Sequence, residues 1–515
     1  MSLSTPAQRH QALAAVCLSA LMLGLEISSV PPALSAIEQA LGASFRQLQW
    51  VMAAYTIAST TILMAVGTLA DRYGHKRVFA TAITAFGITS LVCGLAGSAE
   101  LLIAARFLQG LAGAAMLICQ ISVLSHQFPG GAERGRAFAW WGMVFGSGLG
   151  LGPVVGTAIM AIGGWPWVFL VHAALAVLTL VLAHRGVQES PAQRAGRLDV
   201  AGIATLSLAV FCLVLFVTQA PVLGFGSTEA LGIAALSLLG FAGFVWAERV
   251  SCQPMVDFSV FRVRNFSGAL LGSMGMNFSF WPFIIYLPIY FHTGLGLSRV
   301  QTGLALLAYT LPTLFVPPLA ERLALRWQSG RVVPLGMATI GLGFVLMALG
   351  SLLTAPLWLL LPGCVVAGIG LGLTNTTTTN AITAALPVSK AGMASGMDCS
   401  ARMISLAFNI AVMGLVLVQG VMAALPPVPA VPARQGTGSL RLLAEQLAAG
   451  DLNALTPLGL SAEEALAALA SGFAWVMAYG AASVLLLGLL SWRIFASTAG
   501  RQRCLDRAVG ATTSS

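Results

Sequence analysis

Four acidic or basic residues of the Asp, Glu and Arg types stand inside long apolar runs of this chain. Glu26 interrupts LMLGLEISSVPPAL (21–34), and Arg106 interrupts LLIAARFLQGLAGAA (101–115). Asp398 and Arg402 lie four apart in AGMASGMDCSARM (391–403). Burying a charge among hydrocarbon costs several kcal/mol, so such residues are by default candidates for moving ions or substrates. A buried carboxyl can bind and release a proton. Burial and a nearby guanidinium act on its proton affinity in opposite directions, and together they poise it for exchange. Glu26 is therefore the candidate proton acceptor and Arg106 the residue that tunes it. A purely structural acid–arginine bond is the competing reading. Asp398 and Arg402 share one helix face, where a self-neutralised pair is expected.

Other polar and aromatic groups lie in the same apolar runs. Gln109, Asn277, Trp281 and Asn375 (in NTTTTN, 375–380), with Asp398 and Arg402, are the candidate lining of a substrate cavity. Each polar group could equally bond helix to helix. Trp281, Tyr286 and Tyr290 suit flat cations but would also suit lipid contact. His126, His172 and His292 show no ligand spacing, so no metal is assigned, and nothing calls for a cofactor. There is no nucleotide-binding P-loop, so transport would draw on an ion gradient. Neither a nucleophile–base pair nor a metal cluster suggests an enzyme.

The elements that position these residues follow from composition. The chain has 515 residues, 57% hydrophobic and 8% charged, with mean hydropathy +0.88. A soluble domain has roughly 25% charged residues, so this is an integral membrane protein. Its apolar stretches run continuously for about 20 residues, the length of a membrane helix, and lack the alternation of barrel strands. Fourteen spans are expected, beginning near 12, 48, 78, 101, 137, 165, 199, 229, 266, 300, 332, 356, 393 and 472. Arg9 followed by an apolar stretch raises the alternative of a signal peptide. Glu26 breaks that stretch, and a retained first helix is expected.

The net charge of +9 lies mainly in short loops, which reads as topology and not as a nucleic-acid surface. Arg72, Lys76 and Arg77 follow span 2, and Arg134 and Arg136 follow span 4. Arg194 and Arg197 follow span 6, Arg262 and Arg264 follow span 8, and Arg322 and Arg326 follow span 10. This pattern places both termini in the cytoplasm. The eight cysteines mostly lie in apolar runs and read as small buried hydrophobes. One long external loop, 424–471, opens with PPVPAVP and carries a helix-like stretch from Ser439 to Ala449. It reads as a mobile loop, with a lid or a docking surface for a periplasmic partner as the alternative.

GTLADRYGHKR (67–77) after span 2 and PPLAERLALR (317–326) after span 10 align at a constant offset of 250. Leu69, Ala70, Asp71, Arg72 and Lys76 correspond to Leu319, Ala320, Glu321, Arg322 and Arg326. Both copies follow the second span of a six-span set if spans 7 and 8 are an inserted pair. The expected plan is 6 + 2 + 6: residues 1–190, an inserted pair in 191–255, and 256–515. Carriers with parallel repeats have this organisation.

The first copy resembles the loop signature of the major facilitator superfamily, with Gly67, Asp71, Arg72, Gly74 and Lys76 matching. His75 stands where a base is usual. In that signature glycine permits close helix approach, and the acid beside its bases can latch onto a neighbouring helix in one conformation. Span 4, with Arg106, Gln109, Gly110 and Gly113, resembles the family's second motif. GMVFGSGLGLGPVVG in span 5 resembles the motif of the superfamily's exporters, through Gly148, Gly152, Pro153 and Gly156. Thr157 replaces a usual glycine. LEISSVPPAL resembles the first-span motif of the 14-span drug:proton antiporters, with Glu26 for their aspartate and Pro31 for their asparagine. GIGLGL (368–373) and residues 391–403 are similar to that family's spans 12 and 13.

The resemblance implies an all-α major-facilitator-type fold and proton-coupled export of amphipathic, drug-like molecules by alternating access. The partners would be substrate, protons and the bilayer, with a periplasmic adaptor as an option, and the location a bacterial inner membrane. Narrower carriers of a metabolite, siderophore or lipid remain alternatives, as do a transport-inactive scaffold and a membrane enzyme. At 1.5 Å per residue, Glu26 lies roughly 13 Å and Arg106 roughly 8 Å from the outer ends of their spans. The two should share a cavity.

Overall fold

The computed structural model describes residues 5–189, 199–224, 226–251, 256–352, 357–425, 443–448 and 461–512. Among these every regular element is helical. The helices are α1 (Pro6–Leu41), α2 (Phe45–Thr61), α3 (Leu63–Tyr73), α4 (His75–Gly94), α5 (Ala99–Gln127), α6 (Gly131–Gly163), α7 (Pro166–Gly186), α8 (Val200–Leu223) and α9 (Thr228–Val250). There follow α10 (Arg264–Asn277), α11 (Phe280–Ile289), α12 (Arg299–Thr310), α13 (Pro312–Phe315), α14 (Pro317–Trp327), α15 (Ser329–Leu352), α16 (Leu357–Ala384), α17 (Ala391–Ala424) and α18 (Ala462–Thr512).

Local sequence sets the helix ends. Thr5, Ser44 and Ser298 cap α1, α2 and α12 with reciprocal Gln bonds three residues on, which satisfies otherwise unpaired N–H groups. Gly74, at φ +100°, separates α3 from α4 in a conformation a side chain would strain. The α1 helix continues through Pro31 and Pro32, although these lack the N–H groups that would bond the carbonyls of Ile27 and Ser28.

Among the described residues, twelve helices are long and apolar enough to cross a membrane. Two further pairs pass together, Arg46–Thr61 with Leu63–Tyr73 and Gln301–Phe315 with Pro317–Trp327, bent by 48° and 45°. Each pair taken as one span gives the fourteen expected. The second bend lies at Pro312, Pro317 and Pro318, which withhold backbone donors. The first has no proline. There the Thr60 and Thr61 hydroxyls bond back to carbonyls of Thr56 and Ile57, which tends to bend a helix. The two bent spans are spans 2 and 10, those that carry the repeat.

The chain divides into two compact units. The first comprises 1–270, 321–326 and 376–404, and the second 271–320, 327–375 and 405–515. In the first unit α1 packs along α6 and α7, α5 packs on α2 and α4, and α8 pairs with α9 and touches α2 and α3. In the second, α15 packs along α18. Residues 443–448 are helical, inside the stretch read as helix-like. PPVPAVP and the basic residues Arg194, Arg197, Arg434 and Arg441 lie outside the described residues. Cys93, Cys119, Cys212, Cys364 and Cys399 are free and buried.

Candidate functional site

Glu26 and Arg106 meet, in the first unit, at 0% and 1% exposure. Arg106 Nη1 donates to Glu26 Oε1 and to Gln109 Oε1 at 2.8 Å. Its Nε donates to the Val51 carbonyl at 3.1 Å. The guanidinium lies 4.4 Å over the Tyr55 ring and 5.7 Å from that of Phe169, a cation–π seat. Gln109 in turn donates to Ser90 Oγ at 2.8 Å. The arginine is thus bonded to backbone and to the acid at once. The network is enclosed, so the two residues share a buried site and not an open cavity.

Glu26 Oε2 has no hydrogen-bond partner, and His172 Nδ1 lies 3.5 Å from it. Ligand spacing gave His172 no role. An ionisable residue inside FLVHAAL, an apolar span, was the available signal.

The exporter-like glycines hold α1 in place. A Cβ on Gly148 would lie 2.9 Å from the Leu21 carbonyl and 3.0 Å from Gly24 Cα, and one on Gly156 would lie 2.8 Å from Ser29 Cβ. On Gly152 it would overlap Ser28 Oγ, the hydroxyl that bonds the Gly148 carbonyl at 3.0 Å. This backbone-to-backbone column flanks Glu26 on α1. Pro153 is exposed and faces away from it.

In the loop signature, Asp71 caps a helix. Its Oδ1 and Oδ2 accept from the backbone N–H of Gly392 and of Met393, each at 2.8 Å, at the start of α17, and His75 Nε2 lies 3.0 Å from Oδ1. A side chain on Gly67 would strike the Gly392 carbonyl. The bases act elsewhere. Lys76 Nζ donates to the His184 carbonyl at 2.8 Å, near the negative end of α7, and Arg72 lies 5.7 Å from the Tyr73 ring centre.

The second copy uses other partners. Glu321, 3% exposed, accepts at Oε2 from Asn380 Nδ2 at 2.7 Å. Asn380 Oδ1 accepts from Arg134 Nε at 2.6 Å, and Arg134 also donates to Thr383 Oγ1 at 2.6 Å and to Ser125 Oγ at 3.2 Å. Arg134 was visible in the sequence as a loop base, but its burial was not.

Asp398 and Arg402 form the expected pair, Nε to Oδ1 2.9 Å. Thr379 donates to Asp398 Oδ2 at 2.8 Å, and Arg402 Nη2 bonds the Thr378 and Thr379 hydroxyls. In the second unit, Asn277 is buried and donates to the Ser273 carbonyl on its own helix at 2.8 Å. Tyr286 OH donates to the Ile410 carbonyl at 2.9 Å, and Trp281 and Asn375 are half-buried.

The family model of the Major Facilitator Superfamily matches residues 16–409. The chain belongs to this superfamily. It is 30% identical to the multidrug resistance protein Stp of Mycobacterium tuberculosis, over 81% of this chain and 77% of that one. It is 31% identical to the tetracenomycin C resistance and export protein of Streptomyces glaucescens, over 79% and 75%. The multidrug efflux pump LfrA of Mycolicibacterium smegmatis is 27% identical over 91% and 93%. The fold is shared with the human organic anion transporter MFSD10 (TM-score 0.58, 14% identity, 96% and 100% covered). It is shared also with the proton:xylose symporter XylE (TM-score 0.61, 14% identity, 94% and 95% covered). The chain is thus a multi-pass membrane protein of a transporter superfamily.

Proposed function

We propose that this protein is a proton-coupled exporter of amphipathic, drug-like small molecules, working by alternating access in a bacterial inner membrane. The observation that carries the reading is the Glu26–Arg106 pair. It is an acid and a base buried inside membrane spans, with one carboxylate oxygen left without a hydrogen bond. A buried pair contributes little net stability against a well-packed apolar replacement, so its presence there argues for work and not for structure. Proton binding at Glu26 from the outside favours substrate release, and proton loss to the inside admits the next substrate. The relatives' names, drug and antibiotic resistance proteins and exporters, support export of this substrate class.

In this reading both termini are cytoplasmic, the plan is two six-helix halves (1–190 and 256–515) with α8 and α9 inserted, and the loop 424–471 is external. A periplasmic adaptor would dock there. The Asp71 cap on α17 acts as a latch that holds in one conformation and opens in another. Gln109, Asn277, Trp281, Asn375, Asp398 and Arg402 are the residues we expect substrate to meet.

The test is ethidium transport into inverted membrane vesicles under an imposed pH gradient, comparing wild type, Glu26→Gln and Arg106→Ala. Gradient-driven uptake in the wild type, lost in Glu26→Gln, is expected. Uptake that ignores the gradient in the wild type overturns antiport, and intact gradient-driven uptake in Glu26→Gln overturns the role of Glu26.

A further inference from the structure

The Glu26 site contains a second ionisable group. His172, on α7, is 2% exposed. Its Nδ1 lies 2.9 Å from the Val168 carbonyl oxygen and 3.5 Å from Glu26 Oε2. Its Nε2 lies 3.1 Å from the Met22 carbonyl oxygen. All three neighbours are hydrogen-bond acceptors whenever Glu26 is ionised. A neutral imidazole has one N–H and one lone pair, so in this seat it must aim a lone pair at an oxygen. An imidazolium has an N–H for each side and leaves no such mismatch. The unmatched group on the other side is Glu26 Oε2, which has no hydrogen bond.

We propose that His172 is a second proton-binding residue of this site, holding a proton on both ring nitrogens while Glu26 is ionised and exchanging it with Glu26. The proposal deepens the antiport reading and rests on it for its transport consequence. In the exchange step the Nδ1–H bond breaks and an Oε2–H bond forms. This leaves a neutral ring whose Nε2–H donates to the Met22 carbonyl, and a neutral carboxylic acid. Arg106 stays protonated throughout, so the site carries one net positive charge before and after the step. The site can also take a second proton, with His172 an imidazolium and Glu26 a neutral acid at once, one more than a lone carboxyl holds.

The groups facing His172 are few. From α1 there is Glu26, and from α5 Arg106, which is held on Glu26 Oε1. Tyr55, from α2, stacks on Arg106. From α4 comes the ring of Phe86, 6.1 Å away and edge-on, which brings no charge. Cys93, also from α4, lies beside the same network, its Sγ 3.6 Å from Gln109 Oε1.

Two measurements test this on the full-length protein in lipid. The first is nitrogen-15 NMR of histidine-labelled protein at pH 7.5, with the His172 signal assigned by its loss in His172→Gln, or in His172→Asn if the former does not fold. Both ring nitrogens protonated in the wild type, with that population falling in Glu26→Gln, is the expected result. A neutral ring with one unprotonated nitrogen overturns the proposal. The second counts protons moved per ethidium in proteoliposomes, and a ratio lower by one in His172→Gln is expected. An unchanged ratio, with an unchanged pH profile, overturns the transport role. If the wild type moves ethidium without protons, the antiport reading fails, and the NMR result then decides the proton site by itself.

Discussion

Removing Arg106 while keeping Glu26 should destabilise the protein far more than removing both charges. In Arg106→Met, Glu26 loses the donor on Oε1, and Oε2 has none already. At 0% exposure the carboxylate then has no hydrogen-bond donor, and His172 Nδ1, 3.5 Å from Oε2, is the ionisable group left beside it. Breaking a buried pair from one side costs about 3–5 kcal/mol, or roughly two to four orders of magnitude in the folded-to-unfolded ratio. The Val51 carbonyl and Gln109 Oε1 also lose a donor, at about 1 kcal/mol or more each. That second loss persists in Arg106→Met with Glu26→Gln, whereas the bare charge does not. The double variant should therefore recover about 2–3 kcal/mol relative to Arg106→Met. Unfolding titrations in mixed SDS and lipid micelles measure the cycle. Equal losses in single and double variants would refute the argument that the stranded carboxylate, and not the bulk of the arginine, accounts for the extra cost.

Three further outcomes follow from the same geometry. Asp71→Ala removes the acceptor for two backbone N–H groups at the start of α17; a cap contributes about 0.5–2 kcal/mol, so hydrogen exchange at Gly392 and Met393 should speed up about tenfold, less in Asp71→Asn, and unchanged exchange would dismiss the latch. Gly152→Ala should lower thermal stability, because its Cβ overlaps Ser28 Oγ, and Ser28→Ala should restore part of the loss; a Gly152→Ala variant as stable as wild type would show that α1 and α6 can part freely. Asp257, outside the spans, accepts hydrogen bonds from Ser259 and Lys390, which pull its carboxyl down to about 2. Because the folded value is depressed, the stabilisation is complete above the ordinary value of about 3.9 and disappears as pH falls towards 2. Lys390→Met should move the carbon-13 titration of Asp257 upwards, and an unmoved midpoint would dismiss the contact.

The sequence was most informative where a residue violates its surroundings. Fourteen apolar runs, each bounded by charged or turn residues, gave the helices, because backbone groups in lipid must bond within their own segment. Glu26 and Arg106 stood out by cost, and depth counting brought them to one level. Asp398 and Arg402 paired because i, i+4 spacing fixes their proximity before any tertiary contact. Contacts between distant segments were less legible. Nothing in the spacing of GTLADRYGHKR says that Asp71 meets α17, more than 300 residues on. Metal-ligand spacing assigns His172 no role, although an intramembrane imidazole calls for a partner on the same grounds as Glu26.

The two copies of the loop motif show how far repetition constrains contacts. At the same register, Asp71 bonds backbone N–H groups directly, while Glu321, one methylene longer, reaches Asn380, which is itself bonded to Arg134. The first acid is matched by a helix terminus, equivalent to roughly half a charge. The second is matched through a polar relay to a full one. A cap of the first kind depends on α17 beginning where it does and tolerates side-chain change on α17. A relay of the second kind fails if any of its three side chains changes, since each buried group would be left short of a partner. Asn380, Thr383 and Arg134 are therefore committed to this network. The polar tract 375–380 is thereby committed at its C-terminal end: Asn380 holds the relay, and Thr378 and Thr379 hold the Asp398–Arg402 pair.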